Sequence, residues 1–414
     1  MAAIDTSGAK NQGAGSKITF AVGIAVLVMI LSYCVNAMDR TIFPLILSDV
    51  RKEFGFNLQD AGLMSTVFTF GMAIAGLPTG YLMSRLSRKS VMQVGILIYS
   101  LATIVTIWAT GFADMLFYRA VSGVGEAMQL TALLAIFSSY FQNNRAAAVG
   151  TLNIAYAVGA IVGPALGTTL WTGYGNWRAP MVWFGIIGLV MMVFIALVVR
   201  PWLSEANAAP SAGAKRTTGG ATTLRNPNTV VLAVLAVVLG FALYGFLGMY
   251  PTFLREQLHF APQDIGRVMS FYGLGALVSV GAGWLGDRFS PRVVLPLSYL
   301  FGAGVCALLF NGPTAFVAQA AFSFALGMAF SGMIFVNLVG YSVKAVSGEL
   351  AGRASGIFVT CLYGAATVAG YLIGWLAGQV GWVTAGNTQL VGLCIVGAAI
   401  SLLISPSKMA RPAA

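Results

Sequence analysis

The chain has 414 residues, of which 58% are hydrophobic and 8% are charged. A soluble domain carries about 25% charged residues, so the composition excludes a soluble globular protein and indicates an integral membrane protein. The formal net charge of +11 does not indicate a nucleic-acid partner, because the basic residues lie mainly in short loops between apolar runs, as membrane topology requires.

Twelve apolar runs follow one another along the chain, and each can cross a hydrocarbon core of about 30 Å. They lack the alternation of an outer-membrane barrel, so the predicted fold is an all-α integral membrane protein with twelve transmembrane helices in two six-helix halves. Six runs cover residues 18–47, 61–83, 91–110, 115–140, 146–170 and 180–200, and six cover residues 229–254, 265–286, 293–311, 314–340, 354–379 and 387–405.

The segment 205–228 separates the two sets of runs and is rich in Ala, Ser, Gly, Thr and Pro. This composition predicts a flexible cytoplasmic linker. The N-terminal half is then 18–204 and the C-terminal half is 229–405. Residues 1–17, which are polar and glycine-rich, are predicted to form a disordered cytoplasmic tail, and residues 406–414 form a second tail.

Lysine and arginine are distributed unequally between the two predicted sides of the membrane. With the termini, the linker and alternate loops on one side, that side receives sixteen of them and the other side receives five. The positive-inside rule then places both termini in the cytoplasm. We expect a multi-pass monomer in a bacterial-type inner membrane, surrounded by lipid.

One loop pattern occurs at the same place in each half. The sequences GYLMSRLSRK from Gly80 and GWLGDRFSPR from Gly283 both follow G-x-L-x-x-R-x-x-x-[RK]. The pattern resembles the signature of the major facilitator superfamily, and the resemblance covers the whole chain. It implies two parallel six-helix repeats, as in many secondary transporters. It also implies that the two loops lock the cytoplasmic face, through Gly80, Arg85, Arg88, Gly283, Asp287, Arg288 and Arg292. The first copy has Ser84 in place of the acid, which implies a weaker lock in the N-terminal half.

Four charged residues lie inside apolar runs: Asp39 and Arg40 in the first, and Arg119 and Glu126 in the fourth. Each costs about 2.5–3.5 kcal/mol at the centre of a bilayer. A rise of about 1.5 Å per residue puts all four at similar depth, and the seven-residue spacing puts Arg119 and Glu126 on one helix face. A functional site is the default interpretation. Two alternatives remain: a structural ion-pair network, or an interfacial position for Asp39 and Arg40, because the run from Ile18 already spans a bilayer.

A proton-coupling chemistry fits this quartet. Burial favours the protonated form of a carboxyl group, whereas a nearby arginine favours the ionised form. Asp39 and Glu126 are therefore predicted to load and release protons as Arg119 or Arg40 changes partners. The planar guanidinium also suits a carboxylate substrate. An anion that competes with an acid for Arg119 would couple substrate binding to proton uptake.

The Asp39-Arg40 pair, together with R-x-x-x-G-x-G-E from Arg119 to Glu126, resembles the anion:cation symporter family of the same superfamily. The resemblance implies proton coupling through Asp39 and Glu126, with Arg119 close to the substrate carboxylate. Met72 stands where sugar-acid members tend to carry tyrosine, and nearby Gly76 replaces their glutamine, which favours a more apolar anion, such as a mono- or aromatic carboxylate.

Two features keep an exporter open as the alternative. The sequence VGEA from Val124 to Ala127, with the Asp-Arg pair, also resembles Spinster-type lysolipid transporters. The glycine row from Gly150 to Gly167 resembles a motif of drug antiporters, although small residues at such spacing also let helices pack closely. The alternative function is proton-driven export of amphipathic, drug-like or lysolipid compounds.

Further polar and aromatic residues within the runs are weaker candidates for substrate contact. They are Tyr33, Asn36, Asn153, Tyr156, Tyr244, Tyr272, Asn337 and Tyr363. The second half carries no charge deep within its runs, because Arg267 lies at the outer start of its run, so coupling is predicted to lie in the N-terminal half. The sequence has no phosphate-binding loop and no cluster with metal-ligand spacing, so no enzyme, cofactor or metal site is predicted.

Overall fold

The computed structural model describes residues 20–141, 145–206 and 217–412, and helices form most of this length. We number the long helical units as spans in chain order. The N-terminal half contains Phe20–Phe54 (span 1), Leu58–Thr66 with Phe68–Arg85 (span 2), Arg88–Val105 (span 3), Phe112–Tyr140 (span 4), Arg145–Tyr174 (span 5) and Arg178–Val198 (span 6). A turn of 3-10 helix, Thr106–Trp108, extends span 3, and the short helix Pro201–Ser204 follows span 6.

The C-terminal half repeats this arrangement. It contains Pro227–Glu256 (span 7), Pro262–Ala276 with Ser279–Arg288 (span 8), Pro291–Asn311 (span 9), Phe316–Gly327 with Val336–Lys344 (span 10), Ala351–Val380 (span 11), and Trp382–Gly386 with Gly392–Ser401 (span 12). π-Helical segments, Met328–Phe335 and Asn387–Val391, join the parts of spans 10 and 12. The described residues hold ten helices long and apolar enough to cross a membrane, and up to twelve when the bent spans 2 and 8 are each counted as one.

Several helices begin earlier or end later than the apolar runs predict, because polar residues fill their terminal turns. Span 1 continues past the predicted residue 47 to Phe54 and includes Arg51 and Lys52 in its last turn. Span 3 begins at Arg88, where the Ser87 side chain accepts a hydrogen bond from the backbone N–H of Ser90. Apolar runs therefore locate the buried part of each helix and not its capped ends.

Backbone contacts at glycine show that the two halves are structural repeats. A Cβ atom on Gly123 would lie 1.8 Å from the carbonyl oxygen of Phe68, which brings spans 2 and 4 into direct backbone contact. At the equivalent positions in the second half, a Cβ on Gly327 of span 10 would lie 2.1 Å from the carbonyl oxygen of Tyr272 of span 8. Small residues allow this close approach. The same packing device thus recurs in both halves, which agrees with the predicted architecture.

The two halves meet tightly at the end of the molecule opposite the linker. A Cβ on Gly62 in span 2 would lie 2.0 Å from the oxygen of Gly370 in span 11, and one on Gly266 in span 8 would lie 2.7 Å from the oxygen of Pro164 in span 5. At the other end of these four spans, several glycines have open space around them within the described chain: Gly76, Gly80, Gly150, Gly281, Gly352 and Gly356. The two halves are therefore in close backbone contact at the end away from the linker.

Both ends of the predicted flexible linker are docked on the helical halves. The Glu205 carboxylate accepts hydrogen bonds from the backbone N–H groups of Arg88 and Lys89, at 3.2 and 3.3 Å. The backbone N–H of Ala221 donates to the oxygen of Ala345, and strand Thr217–Thr218 (β1) pairs with strand Arg411–Pro412 (β2). The structure differs there from the predicted linker, because backbone hydrogen bonds hold both ends. Residues 207–216 of that linker and the predicted tail 1–17 lie outside the described residues.

Candidate functional site

The four intramembrane charges come together between spans 1 and 4. Asp39 and Arg40 lie near the middle of span 1 and are 1% and 6% exposed. Arg119 and Glu126 of span 4 are both 0% exposed. The helix continues well past this point to Phe54. The interfacial position considered for Asp39 and Arg40 is therefore wrong, because the helix that carries them does not end there and neighbouring helices cover both side chains.

The four charges form two crossed pairs. Arg40 Nε lies 2.8 Å from Glu126 Oε2, and an Arg119 terminal nitrogen lies 3.9 Å from Asp39 Oδ2. Each pair joins span 1 to span 4, so the neighbouring residues Asp39 and Arg40 do not pair with each other. Thr103 of span 3 donates a hydrogen bond to Asp39 Oδ1 at 2.8 Å.

The ion pairs leave buried hydrogen-bonding capacity unfilled. Arg40 Nε and both oxygens of Glu126 make no aligned hydrogen bond within the described chain, although the two groups are in ion-pair contact. Arg119 Nε and one of its terminal nitrogens are also without a hydrogen-bond partner there. An unsatisfied buried polar group costs about 1–3 kcal/mol. Such a group in a native structure calls for an explanation such as a ligand, an ion, a proton or water.

A ladder of amide groups supports the quartet on one side. Asn36 donates from Nδ2 to Gln129 Oε1 at 2.9 Å, and Gln129 donates from Nε2 to Ser32 Oγ at 3.1 Å. All three residues are fully buried between spans 1 and 4. The structure thus places Asn36 in helix-to-helix contact and not in the cavity. The sequence interpretation missed Gln129, although its position one turn after Glu126 was a usable signal.

A cavity lies beside the quartet, where the two halves meet. Among the described residues that line it, Arg40 is the one with a charged side chain, and the predicted substrate residues Tyr156, Tyr244 and Tyr272 also line it. The Arg40 guanidinium lies 5.8 Å from the ring centre of Tyr156, within range of a cation–π contact. The C-terminal half contributes aromatic and apolar surface, as expected from its uncharged runs.

Other predicted substrate residues do not line this cavity. Tyr363 stacks edge-on against Tyr244 at 5.9 Å between ring centres, and Tyr33 packs within the core of the N-terminal half. Asn153 is exposed on span 5. Asn337 donates to the oxygens of Met333 and Ala282, which ties span 10 to span 8. The spacing of these residues in the sequence did not predict which of them face the cavity, because packing sets the rotation of each helix about its axis.

Arg119 is also separated from the cavity. Its guanidinium carbon lies 4.8 Å from the ring centre of Phe43 and 5.6 Å from that of Phe68. Phe68 lines the cavity, whereas neither Arg119 nor Phe43 does. The predicted contact between Arg119 and a substrate is therefore not open in this conformation, because an aromatic ring lies between them.

The predicted cytoplasmic lock is not engaged across the halves. Asp287 pairs with Lys344 of its own half, and Arg88 donates to the oxygen of Ala206 at 3.1 Å, within the N-terminal half. Arg292 donates to the oxygen of Ile404, and Arg85 and Arg288 each lie over an aromatic ring four residues earlier in the same helix. Within the described chain, each of these contacts lies inside one half. The gating role of both loops stays a prediction.

The family described as Major Facilitator Superfamily matches residues 29–366 and 232–414. The chain belongs to this superfamily. Members of this superfamily are membrane transporters and not enzymes, and the fold predicted for the chain is confirmed.

Relatives of this superfamily member include a spinster protein and a muconate transport protein. It is 30% identical to the protein spinster of Drosophila melanogaster over 168 residues, which cover 40% of this chain and only 28% of the fly protein. It is 26% identical to the cis,cis-muconate transport protein of Acinetobacter baylyi (strain ATCC 33305 / BD413 / ADP1) over 291 residues, 68% of this chain and 69% of that one.

A solved structure shares the fold over nearly the whole chain. It is a bacterial homologue of the human lysosomal transporter spinster, in an inward-facing and occupied conformation. The TM-score is 0.78 at 16% sequence identity, and the match covers 96% of this chain and 100% of that one. At this identity the likeness shows the fold alone.

Proposed function

We propose that the protein takes up a small organic anion together with protons, by alternating access. The observation that carries the proposal is the position of Arg40, a buried cation that reaches both the cavity and Glu126. Two nitrogens of its guanidinium, Nε and one terminal nitrogen, have no aligned hydrogen-bond partner within the described chain. A carboxylate in the cavity can fill that capacity with a charge-assisted bond.

Competition for Arg40 supplies the coupling. When a substrate carboxylate pairs with Arg40, Glu126 loses its partner while it stays buried. An unpaired buried charge is destabilised by about 3–5 kcal/mol, so Glu126 then takes up a proton. Release of the anion restores the pair between Arg40 and Glu126 and expels the proton. Asp39 and Arg119 form the second such pair, so exchange between the two pairs gives a route for the proton through the quartet.

The lining of the cavity favours an anion with apolar or aromatic character. Three tyrosines, Phe68 and Met269 surround the single cation, and aromatic rings pack favourably against other π systems. One cation facing the cavity suits one carboxylate group. The relative named for transport of cis,cis-muconate, an unsaturated dicarboxylate, supports an organic anion as the substrate, while the single cation in the lining favours one carboxylate group. We therefore propose a mono- or aromatic carboxylate as the substrate.

The conformation supports release at the linker end. The halves are in close backbone contact at the end away from the linker, and the charge bias of the loops assigns the linker end to the cytoplasm. In this proposal the protein works as a monomer in a bacterial-type inner membrane, with both termini cytoplasmic. A carboxylate held at Arg40 in this state leaves toward the cytoplasm.

Uptake into proteoliposomes tests the proposal. Purified protein is reconstituted and assayed with a panel of labelled aliphatic and aromatic carboxylates, with and without an inward proton gradient. We expect at least one carboxylate to accumulate only with the gradient, and Arg40→Gln to abolish that accumulation. Lack of accumulation of every carboxylate in a folded, reconstituted protein would remove the proposal.

Export of amphipathic compounds is the second candidate. The apolar lining of the cavity and the relatedness to spinster proteins favour it. The same proteoliposomes distinguish the two functions when they are loaded with a labelled lysophospholipid. Proton-driven movement of the lipid against an opposing gradient, without carboxylate uptake, would establish the exporter.

A further inference from the structure

We propose that Phe68 is a gate between the central cavity and the buried pair of Arg119 and Asp39. The inference deepens the proposed function and rests on it, because it concerns how an anion in the cavity reaches the second arginine. With Phe68 in its present position, the anion meets Arg40 alone. Rotation of the Phe68 ring would open the path to Arg119.

The first support is the way Arg119 is covered. Its guanidinium lies between the rings of Phe43 and Phe68, and the residue is 0% exposed. Two of its nitrogens have no hydrogen-bond partner within the described chain. Of the two rings, Phe68 alone lines the cavity. The Phe68 ring therefore stands between the cavity and an arginine with unfilled binding capacity.

The second support is the contact of Phe68 with the other half. Its ring centre lies 6.2 Å from that of Tyr244 in span 7, which also lines the cavity. A substrate bound against Tyr244, or a movement of the C-terminal half, therefore acts directly on this ring. Access to Arg119 is linked in this way to the rocking of the halves.

The third support comes from the repeat. Tyr272 is the counterpart of Phe68 in the C-terminal half, because each places its backbone oxygen against the equivalent glycine. The Tyr272 hydroxyl is hydrogen-bonded to Ser331 Oγ at 2.5 Å, which anchors that ring to span 10. Phe68 has no hydroxyl group and follows an interruption of the helix at Val67. Phe68 is 4% exposed and packs in the hydrophobic core, so packing contacts, without a hydroxyl anchor of the kind that holds Tyr272, keep its ring in place.

Cysteine labelling beside Arg119 tests the gate without any substrate. The four native cysteines are replaced, and Ser122, which contacts Arg119 at 3.4 Å, is changed to cysteine as the reporter. Detergent-solubilised protein is treated with two methanethiosulfonate reagents of similar size, the anionic ethylsulfonate and the cationic ethyltrimethylammonium. The reaction rate at residue 122 is measured for each reagent.

With Phe68 in place, we expect residue 122 to be labelled slowly. In Phe68→Ala, we expect the anionic reagent to label it faster by about tenfold or more, because the variant removes the desolvated ring that makes a cation–π contact with Arg119. The cationic reagent should gain less, since Arg119 repels it. Phe68→Tyr keeps the ring and should stay slow. Simple loosening of the helix packing would instead accelerate both reagents equally.

Phe43→Ala is the matched control, because it removes the other ring on Arg119 without opening the cavity wall. We expect it to leave the labelling rate at residue 122 close to that of the parent protein. Equal acceleration by Phe43→Ala and Phe68→Ala, or no acceleration in a folded Phe68→Ala protein, would overturn the gate. Thermal unfolding of each variant establishes that it is folded, and Phe68→Leu replaces Phe68→Ala if that variant does not fold.

The labelling result and the uptake result are independent. If no carboxylate is transported but the labelling pattern is as expected, Phe68 is a gate in the structure and the proposed substrate class is wrong. If carboxylates are taken up while Phe68→Ala labels as slowly as the parent, the proposed function stands and the gate is wrong.

Discussion

Glu256→Gln is expected to shift the protein toward a state that is open at the end away from the linker. Arg51 at the end of span 1 and Glu256 at the end of span 7 form a two-pronged ion pair, with Nε to Oε1 at 3.1 Å and a terminal nitrogen to Oε2 at 2.7 Å. The pair joins the two halves at their closed end. Because Arg51 also donates to the oxygen of Phe56 at 3.2 Å, removing the charge of Glu256 leaves that loop contact in place.

The magnitude follows from the burial of the pair. The side chains are 25% and 15% exposed, so the pair is stronger than a fully exposed one. Exposed pairs contribute about 0.2–1 kcal/mol, and the bidentate, partly desolvated geometry raises this to about 1–2 kcal/mol. The pair exists only while the halves are closed at this end. Its loss should therefore change the ratio of the two conformations by about 5- to 30-fold.

Spin labels across the seam measure the shift. Tyr174 at the end of span 5 and Gln263 at the start of span 8 are exposed and belong to opposite halves. Both residues are changed to cysteine and spin-labelled. Pulsed electron–electron double resonance should then show that the population with the longer label-to-label distance is larger in Glu256→Gln.

The pair of Arg178 and Glu53 provides the control. It is somewhat more exposed, at 30% and 41%, and joins spans 1 and 6 within one half, so its partners move together when the halves rock. Glu53→Gln should leave the distance distribution unchanged. The reasoning would be refuted by an equal shift in Glu53→Gln, or by no shift in Glu256→Gln.

Three further predictions concern the site and its packing. Glu126→Gln and Asp39→Asn should remove the stimulation of uptake by external acid, and a preserved pH dependence in both variants would contradict coupling through the quartet. Arg40→Lys should raise the KM for the carboxylate about tenfold, because lysine loses the planar fork, and an unchanged KM in the uptake assay would argue against Arg40 as the anion site. Gly123→Ala should destabilise the protein by about 1–3 kcal/mol or more, since its Cβ would meet the backbone of span 2. Gly364→Ala, at a helical position with open space around it, should retain or slightly raise the melting temperature in detergent, and equal losses in both variants would contradict this packing argument.

The repeat explains how one half came to hold the chemistry. Arg40 and Tyr244 occupy equivalent places in spans 1 and 7, and both line the cavity. Arg119 corresponds to Ser323, a fully buried residue whose hydroxyl has no hydrogen-bond partner within the described chain. The two halves thus share a scaffold, and the N-terminal half has placed charges where the C-terminal half has neutral side chains.

The sequence by itself determined the spans, the two halves, the superfamily and the identity of the four buried charges. Each of these rests on composition or on local periodicity. A long apolar run must span the bilayer, and an ionisable residue within it costs too much free energy to be incidental. The depth of the quartet also followed from the sequence, since the rise per residue of a helix is fixed.

The tertiary structure alone decided which groups meet. Asp39 and Arg40 are adjacent, yet their side chains diverge by about 100° around the helix, so each pairs with a different residue of span 4. The same rotation directs Asn36 to Gln129 and covers Arg119 with Phe68. Contacts between residues far apart in sequence set the rotation and tilt of each helix and the close contact of the two halves. The apolar pattern of a single helix does not predict these contacts.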